Sequence, residues 1–374
     1  MSALIRGFSL GGDGPTIAIK DTIDIAGMPT TGASRALAGA APAQKHAQVV
    51  QSLLDARWEI VGKANMHELA FGMTGINDYT GTPVNPQDGT RIPGGSSSGS
   101  ASAVGLGLAD AALGTDTGGS IRGPAACCGV TGLKPTFGRV SRQGVAPAES
   151  TLDCVGPFAR DMRMIIETMS VIAPTFDKNT ALNKVTSCRV GVAHVDAHAA
   201  LLAAVAHAPH RAGFISQAIE LAGFAEAFQA GLAIINAETW AAFGHLVESG
   251  KLGADLEARL RAASSTTPDQ VSAAERVRRS FTATVDRALD SVDVIVMPTL
   301  PSLPITLDEA RRGVSVIAMS SLIRPFNLSG HPALSLPLPV GGWPLKAGLQ
   351  IVGRHGADEQ VCAVAAAFET ALAG

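Results

Sequence analysis

Two glycine-rich turns, Arg91-Ile-Pro-Gly-Gly-Ser-Ser-Ser-Gly-Ser100 and Gly114-Thr-Asp-Thr-Gly-Gly-Ser-Ile-Arg-Gly-Pro124, leave little freedom to the chain between them. Ser98–Leu108 is rich in small residues and of helix length, and Asp110–Leu113 is a short apolar run. A helix followed by a buried strand fits that space, with a second helix beginning near Ser120. Pro124 agrees, because the first turn of a helix does not need its N–H. Upstream, Thr16–Ile19 reads as a strand ending at Lys20-Asp21. Ala43–Arg57 reads as a helix with Val49, Val50, Leu53 and Leu54 on its apolar face, and Glu59–Gly62 as a second strand. Strand, helix and strand in that order predict a parallel crossover. Residues 160–290 read as mainly helical and alanine-rich. Ser291–Met297 reads as a strand, Ala333–Leu338 and Lys346–Val352 as further apolar segments, and Asp358–Leu372 as a closing helix. With no internal repeat and no long linker, the expectation is one α/β domain.

Composition sets the outer limits. A chain of 374 residues that is 46% hydrophobic and 16% charged has the material for a substantial core. Aromatics are scarce at 4%, while glycine reaches 41 residues, a balance that suits helices packed closely on a sheet. A net charge of −3 gives no footprint for nucleic acid or anionic membrane. Cys127, Cys128, Cys154, Cys188 and Cys362 form no C-x-x-C pair and read as small core residues in a reducing compartment. The histidines show no H-E-x-x-H pattern. His194 and His198 fall in an alanine-rich segment, so no metal site is assigned. No apolar run reaches the roughly eighteen residues of a membrane span, and the N-terminus lacks a leader pattern. The chain reads as soluble and cytoplasmic.

The chemistry lies in three polar side chains at the ends of apolar segments: Lys20, Ser96 and Ser120. A serine becomes a useful nucleophile when something removes its proton during attack. No histidine neighbours either turn in sequence, but a lysine can serve if burial holds its pKa well below about 10.4. Ser96 and Ser120 are then the candidates for a bridging hydroxyl and a nucleophile. Gly118 and Gly119 can turn successive N–H groups toward one point and stabilise an oxyanion, where losing one donor costs about 3 kcal/mol of barrier. Each motif alone has a plainer reading. Gly94–Ser100 is equally a flexible linker by composition, or a phosphate-binding loop without the G-x-x-x-x-G-K-[ST] spacing, and Lys20 alone is a solvated lysine.

Taken together, the residues resemble the amidase signature family of serine hydrolases. Gly114 to Thr136 is similar to that family's central signature. Gly62-Lys-Ala-Asn-Met-His-Glu-Leu-Ala-Phe-Gly72, Gly81–Pro86, Gly138–Arg142, Asn327–Ser335 and Gly348–Gly353 resemble further family segments. Similarity covers roughly residues 15–165 and 290–372. The resemblance implies a single α/β domain over residues 1–374, with a large mixed β-sheet covered by helices. Residues 15–165 would form the catalytic region, 166–290 a variable helical region and 291–374 the C-terminal part.

Position by position, the resemblance implies Ser120 as nucleophile, Ser96 as bridging serine after a cis peptide at Gly95, and Lys20 as terminal base and acid. It also implies backbone N–H groups of Thr117, Gly118 and Gly119, with Ser120 a further candidate, as oxyanion donors. Asp116 and Arg122 match charged signature positions and read as supports of the turn, with a substrate-facing Arg122 as the alternative. Phe71, Gly72, Met73 and Gly123 are the pocket candidates; Gly123 either widens an acyl pocket or eases helix packing. Phe71 and Met73 lean toward a small aryl or aliphatic amide.

Only 19 residues precede Lys20, fewer than family members usually carry, so helices covering a sheet edge or building oligomer contacts are expected to be missing. The expected activity is hydrolysis of a small carboxamide, with no metal or organic cofactor, no nucleic-acid or membrane partner, and a homodimer as the default assembly. The alternatives are an allophanate- or carboxybiuret-type hydrolase, the glutaminase subunit of a tRNA-dependent amidotransferase, and a non-catalytic binding descendant.

Overall fold

A computed structural model describes residues 2–373. Among these residues the strands are β1 (Leu4–Gly11), β2 (Thr16–Lys20), β3 (Glu59–Ala64), β4 (Ala111–Asp116), β5 (Thr131–Lys134), β6 (Cys154–Ala159), β7 (Arg189–Ala193), β8 (Ile215–Ile219), β9 (Val294–Pro298), β10 (Ala333–Leu338) and β11 (Ala347–Val352). They form one mixed sheet in the order β1-β3-β2-β4-β6-β5-β10-β11-β9-β7-β8. β3, β2 and β4 run parallel, as do β9, β7 and β8. The strands between these two groups pair antiparallel.

The helices are α1 (Gln48–Asp55), α2 (Ser98–Gly105), α3 (Arg122–Cys128), α4 (Met162–Ile172), α5 (Lys178–Ala181), α6 (Ala199–Arg211), α7 (Phe224–Phe243), α8 (Ala254–Ala263), α9 (Pro268–Ser291), α10 (Leu307–Arg311), α11 (Arg324–Leu328) and α12 (Asp358–Leu372). The β2–α1–β3 crossover is parallel, as the sequence predicts. Helix α1 starts later than its apolar pattern suggests, because residues 43–47 bond to the loop before them: Ala43 N–H donates to Met28 O and Ala47 N–H to Asp24 O. The middle third is not simply helical. It also supplies β7 and β8, which extend the sheet. Strand β8 forms its edge and leaves Ile215 76% exposed, so it lacks the apolar alternation that marks a strand. The other edge strand, β1, likewise has no continuous buried face.

Period-two alternation decides which face each side chain serves. Ile17 and Ile19 of β2 pack with Leu113, Val155, Ile165, Met169 and Phe368 on one face. Ala18 packs with Ala101, Val104, Ala112 and Phe158 on the other, beneath α2. Lys20 shares the parity of Ala18 and is carried to that second face. Phe158 fills the space over the small residues of β4, and truncating it to alanine would cost about 3–5 kcal/mol.

Helix α2 has no exposed face: residues 98–104 are all buried. Two of its three serines make that burial tolerable by donating to carbonyls, Ser100 Oγ to Leu113 O at 2.9 Å and Ser102 Oγ to Val84 O at 2.7 Å, while Ser98 Oγ has no partner among the described residues. The glycine-serine run is therefore part of the core, and the linker reading fails. All five cysteines are free and buried. No helix among the described residues is long and apolar enough to cross a membrane.

Candidate active site

The ends of β2 and β4 lie side by side, and the turn before α2 crosses them. Lys20 is fully buried there, with Nζ donating to Ser96 Oγ and to Thr115 Oγ1, each at 2.8 Å. Burial pulls the Lys20 pKa down to about 7, while the charges of Asp153 and Asp116 pull it back up. The Gly95–Ser96 peptide is cis. Ser120 is 6% exposed and sits at the turn between β4 and α3, its carbonyl accepting from Ser97 N–H at 3.3 Å.

The turn carrying Ser120 is wrapped around Asp116. Oδ1 accepts from Gly119 N–H at 2.7 Å, and Oδ2 accepts from Ile121 N–H at 3.1 Å and Arg122 N–H at 3.3 Å. The Arg122 guanidinium donates to both carboxylate oxygens, at 2.9 and 3.0 Å. It also donates to Ile323 O, Gln350 Oε1 and Asn327 Oδ1. Burial alone would raise the Asp116 pKa, but the Arg122 charge and the bonds from Arg122 and Asn327 hold it well below the usual carboxylate range. Every N–H of the Arg122 guanidinium is thus engaged, and the residue lines neither the cavity over Ser120 nor the larger space beside it, which favours the supporting reading over the substrate-facing one.

This wiring changes the set of expected oxyanion donors. Gly119 N–H already donates to Asp116, which leaves Thr117, Gly118 and the further candidate Ser120 as the turn's donors of that set without an acceptor among the described residues. Gly119 is required for another reason. Its φ is +114°, and a Cβ there would overlap the Ile323 side chain.

A cavity of about 190 Å³ opens over Ser120, Thr117 and Gly118. Phe71, Gly72 and Met73 are among its lining residues. Gly123 is not: it lies in α3 with Met73 Cε, Ile323 Cδ1 and Gly95 O nearest to where a Cβ would stand, which fits the packing reading. Helices α7 and α8 close the opposite wall with Leu232, Ile235 and Arg259, joined by Arg324 at the start of α11. Through Arg259, Val316 and Ile317 it meets a second space of about 680 Å³ that His67 and Lys251 help to line. Burial lowers the His67 pKa to about 4, so this imidazole is neutral at physiological pH.

Several contributing residues carry no signal of their own. Thr115 lies within the signature segment but shares the parity of Leu113 and not of Lys20, so alternation along β4 does not place its hydroxyl beside Lys20 Nζ. Asp153 accepts from Thr117 Oγ1 at 2.8 Å and from Arg142 Nε at 3.0 Å, and burial raises its pKa despite the Arg142 charge. Arg324 is buried, with Nη2 donating to Ser320 Oγ at 2.7 Å and its guanidinium over the Phe228 ring. Its Nε and Nη1 have no partner among the described residues. Burial lowers its pKa to about 10, which leaves it charged at neutral pH.

Comparison with known proteins gives a consistent result. The sequence profile of the family described as Amidase matches residues 13–208 and 206–362. A glutamyl-tRNA(Gln) amidotransferase subunit from Methanospirillum hungatei is 34% identical over 96% of this chain and 94% of its own length. One solved chain belongs to a vestigial protein complex that reveals the evolutionary origins of an s-triazine catabolic enzyme. It superposes with a TM-score of 0.89 at 27% identity, covering 96% of this chain and 85% of that one. Kluyveromyces lactis allophanate hydrolase matches with a TM-score of 0.86 at 26% identity over 96% of this chain and 62% of its own.

Proposed function

The chain belongs to the amidase family, and from that premise we propose that it hydrolyses a small carboxamide through an acyl-enzyme on Ser120. The observation that carries this reading is the buried Lys20 amine 2.8 Å from Ser96 Oγ, with a pKa of about 7. Near neutral pH a large fraction of that amine is unprotonated. One N–H bonded to Thr115 Oγ1 orients it, and its lone pair is free to accept the Ser96 proton.

The steps then balance. Ser120 Oγ attacks the amide carbon and passes its proton to Ser96, which passes its own to Lys20. The N–H groups of Thr117 and Gly118 stabilise the oxyanion. Lys20 returns a proton through Ser96 to the leaving nitrogen, the C–N bond breaks, and ammonia or an amine departs. Water attacks the acyl-enzyme by the same relay and releases the carboxylic acid. Asp116, Arg122 and Asn327 hold the donors in place without touching substrate.

Arg324 favours a second, narrower reading. Arg324 and Arg259 both line the cavity that exposes Ser120, and Arg324 Nε and Nη1 are buried without a partner among the described residues. A carboxylate on the substrate would meet the Arg324 charge, with Arg259, whose Nε donates to Asp255 Oδ2 at 3.0 Å, as a second cation on the same cavity. Glutamine and allophanate each carry a carboxylate in addition to the scissile C–N bond, so both named alternatives fit better than an uncharged aryl amide. The deciding experiment measures ammonia release from neutral amides, glutamine and allophanate by the parent and by Ser120→Ala. Release from at least one substrate that Ser120→Ala abolishes supports the reading. Release that persists in Ser120→Ala defeats it.

A further inference from the structure

Two imidazoles and a carboxylate converge at a place that lines neither cavity. Helix α9 turns Phe281, Val285 and Leu289 into the core, and Asp286 beside them is half exposed. His331 lies between α11 and β10 and is buried; His355 follows β11 and is partly exposed. The two rings stack with centroids 3.8 Å apart, and both turn a nitrogen toward Asp286 Oδ1: His331 Nε2 at 3.1 Å and His355 Nδ1 at 3.7 Å.

Hydrogen bonding on the far side of each ring fixes what those nitrogens offer. His355 Nε2 lies 2.8 Å from Ser329 O. A carbonyl only accepts, so Nε2 carries the hydrogen and the neutral ring presents a bare lone pair at Nδ1, facing a carboxylate oxygen. Two acceptors facing each other repel unless a proton or a metal cation lies between them. His331 Nδ1 lies 3.0 Å from Ser329 Oγ, a hydroxyl that can accept as readily as donate, so Nε2 can also be a lone pair. Ser329 therefore supports both rings in the manner of the outer partners of metal-binding histidines. Gly330, at φ +76°, makes this possible, because a Cβ there would press within 3.3 Å of His355 Nε2.

We propose that Asp286, His331 and His355 bind a divalent transition-metal ion of the zinc class, clipping α9 to the segments that flank β10 and β11. The three donor atoms lie within 4.8 Å of one another, and tetrahedral bonds of about 2.0–2.1 Å place donors about 3.3 Å apart. Two nitrogens and one oxygen suit zinc, cobalt or nickel better than calcium or magnesium. The exposed sides of Asp286 and His355 leave an entry path and a position for water as fourth ligand.

The test uses the full chain without an affinity tag, stripped with chelator and titrated with zinc by calorimetry and with cobalt by visible absorption. His355→Ala and Asp286→Asn are measured alongside, both at exposed positions and with amidase activity as the check on folding. The expected result is one zinc per chain, a four-coordinate cobalt spectrum and a raised melting temperature, with affinity falling at least about tenfold in each variant. A parent chain that binds no ion overturns the proposal, and so does zinc affinity unchanged in both variants. In that case the groups form a protonated His355–Asp286 ion pair.

Discussion

The turn wall and the helical wall of the Ser120 cavity each have a buried arginine, Arg122 behind the first and Arg324 lining the second, and the two are treated in opposite ways. On the turn side, Arg122 donates to Asp116, Asn327, Gln350 and Ile323 and has no spare capacity. On the helical side, Arg324 donates to Ser320 Oγ and lies over the Phe228 ring, close to Gly118 and Gly231, and its Nε and Nη1 have no partner among the described residues. A buried donor without a partner costs of the order of 1–3 kcal/mol, more when charged, so a substrate group that accepts from Arg324 would relieve a cost that Arg122 does not carry. In the proposed reaction the first wall serves a chemistry common to many amides, and the second is the place where selection among them is proposed.

The sharpest break of this contrast comes from the reacting group. Ser120→Ala should lower kcat/KM about 10⁵-fold with little change in melting temperature, read by ammonia release beside thermal unfolding. Next in size, Asp116→Asn leaves the Arg122 charge buried against a neutral group and should destabilise the fold by about 3–5 kcal/mol, measured in denaturant. Arg324→Met has no such partner to orphan. It should leave stability nearly unchanged and raise KM for carboxylate-bearing amides roughly thirtyfold, about 2 kcal/mol, with neutral amides little affected. An equal loss on both substrate classes would place the selectivity elsewhere.

Lys20 gives the smallest effect and the most specific one. Its amine must be unprotonated to accept, so kcat/KM should climb with pH through about 7. The same depression has a stability consequence of fixed sign. Between the folded pKa of about 7 and the unfolded value of about 10.4, the unfolded chain binds the proton that the folded chain has lost. Stability contributed at this site therefore rises with pH across that window, and the cost is greatest below it. Lys20→Met should melt above the parent at pH 6 by an amount worth about 1–3 kcal/mol, and the gap should close toward pH 10. A gap that widens with pH would contradict a buried, depressed amine.

The first wall is far more legible in the sequence than the second. Ser96, Ser120 and Asp116 lie in short glycine-flanked segments whose residue types disclose their chemistry locally. Arg324 and Arg259 sit in helices of ordinary composition, and only the return of α8 and α11 over β4 makes them neighbours of Ser120. Asn327 bonds to Arg122 across more than half the chain, a pairing that no local pattern encodes. Gly119 reads correctly as a turn residue, yet its N–H is claimed by Asp116 three positions away, a choice that spacing alone leaves open. The fold follows the same division. The crossover through α1 and the helix at 358–372 are periodic and legible, whereas β7 and β8 are five residues each, and β8 has one exposed edge and no alternation.

The bonds around Arg122 also order events in time. They join β4 to α11 and to Gln350 on β11, while Lys20 on β2 reaches Ser96 across the chain's first quarter. Contacts of such separation form late, because the intervening chain must be ordered before they are rewarded. Enzymatic turnover during refolding should therefore lag the recovery of helical signal and finish with the slowest structural phase, making ammonia production a clock for the last step of assembly.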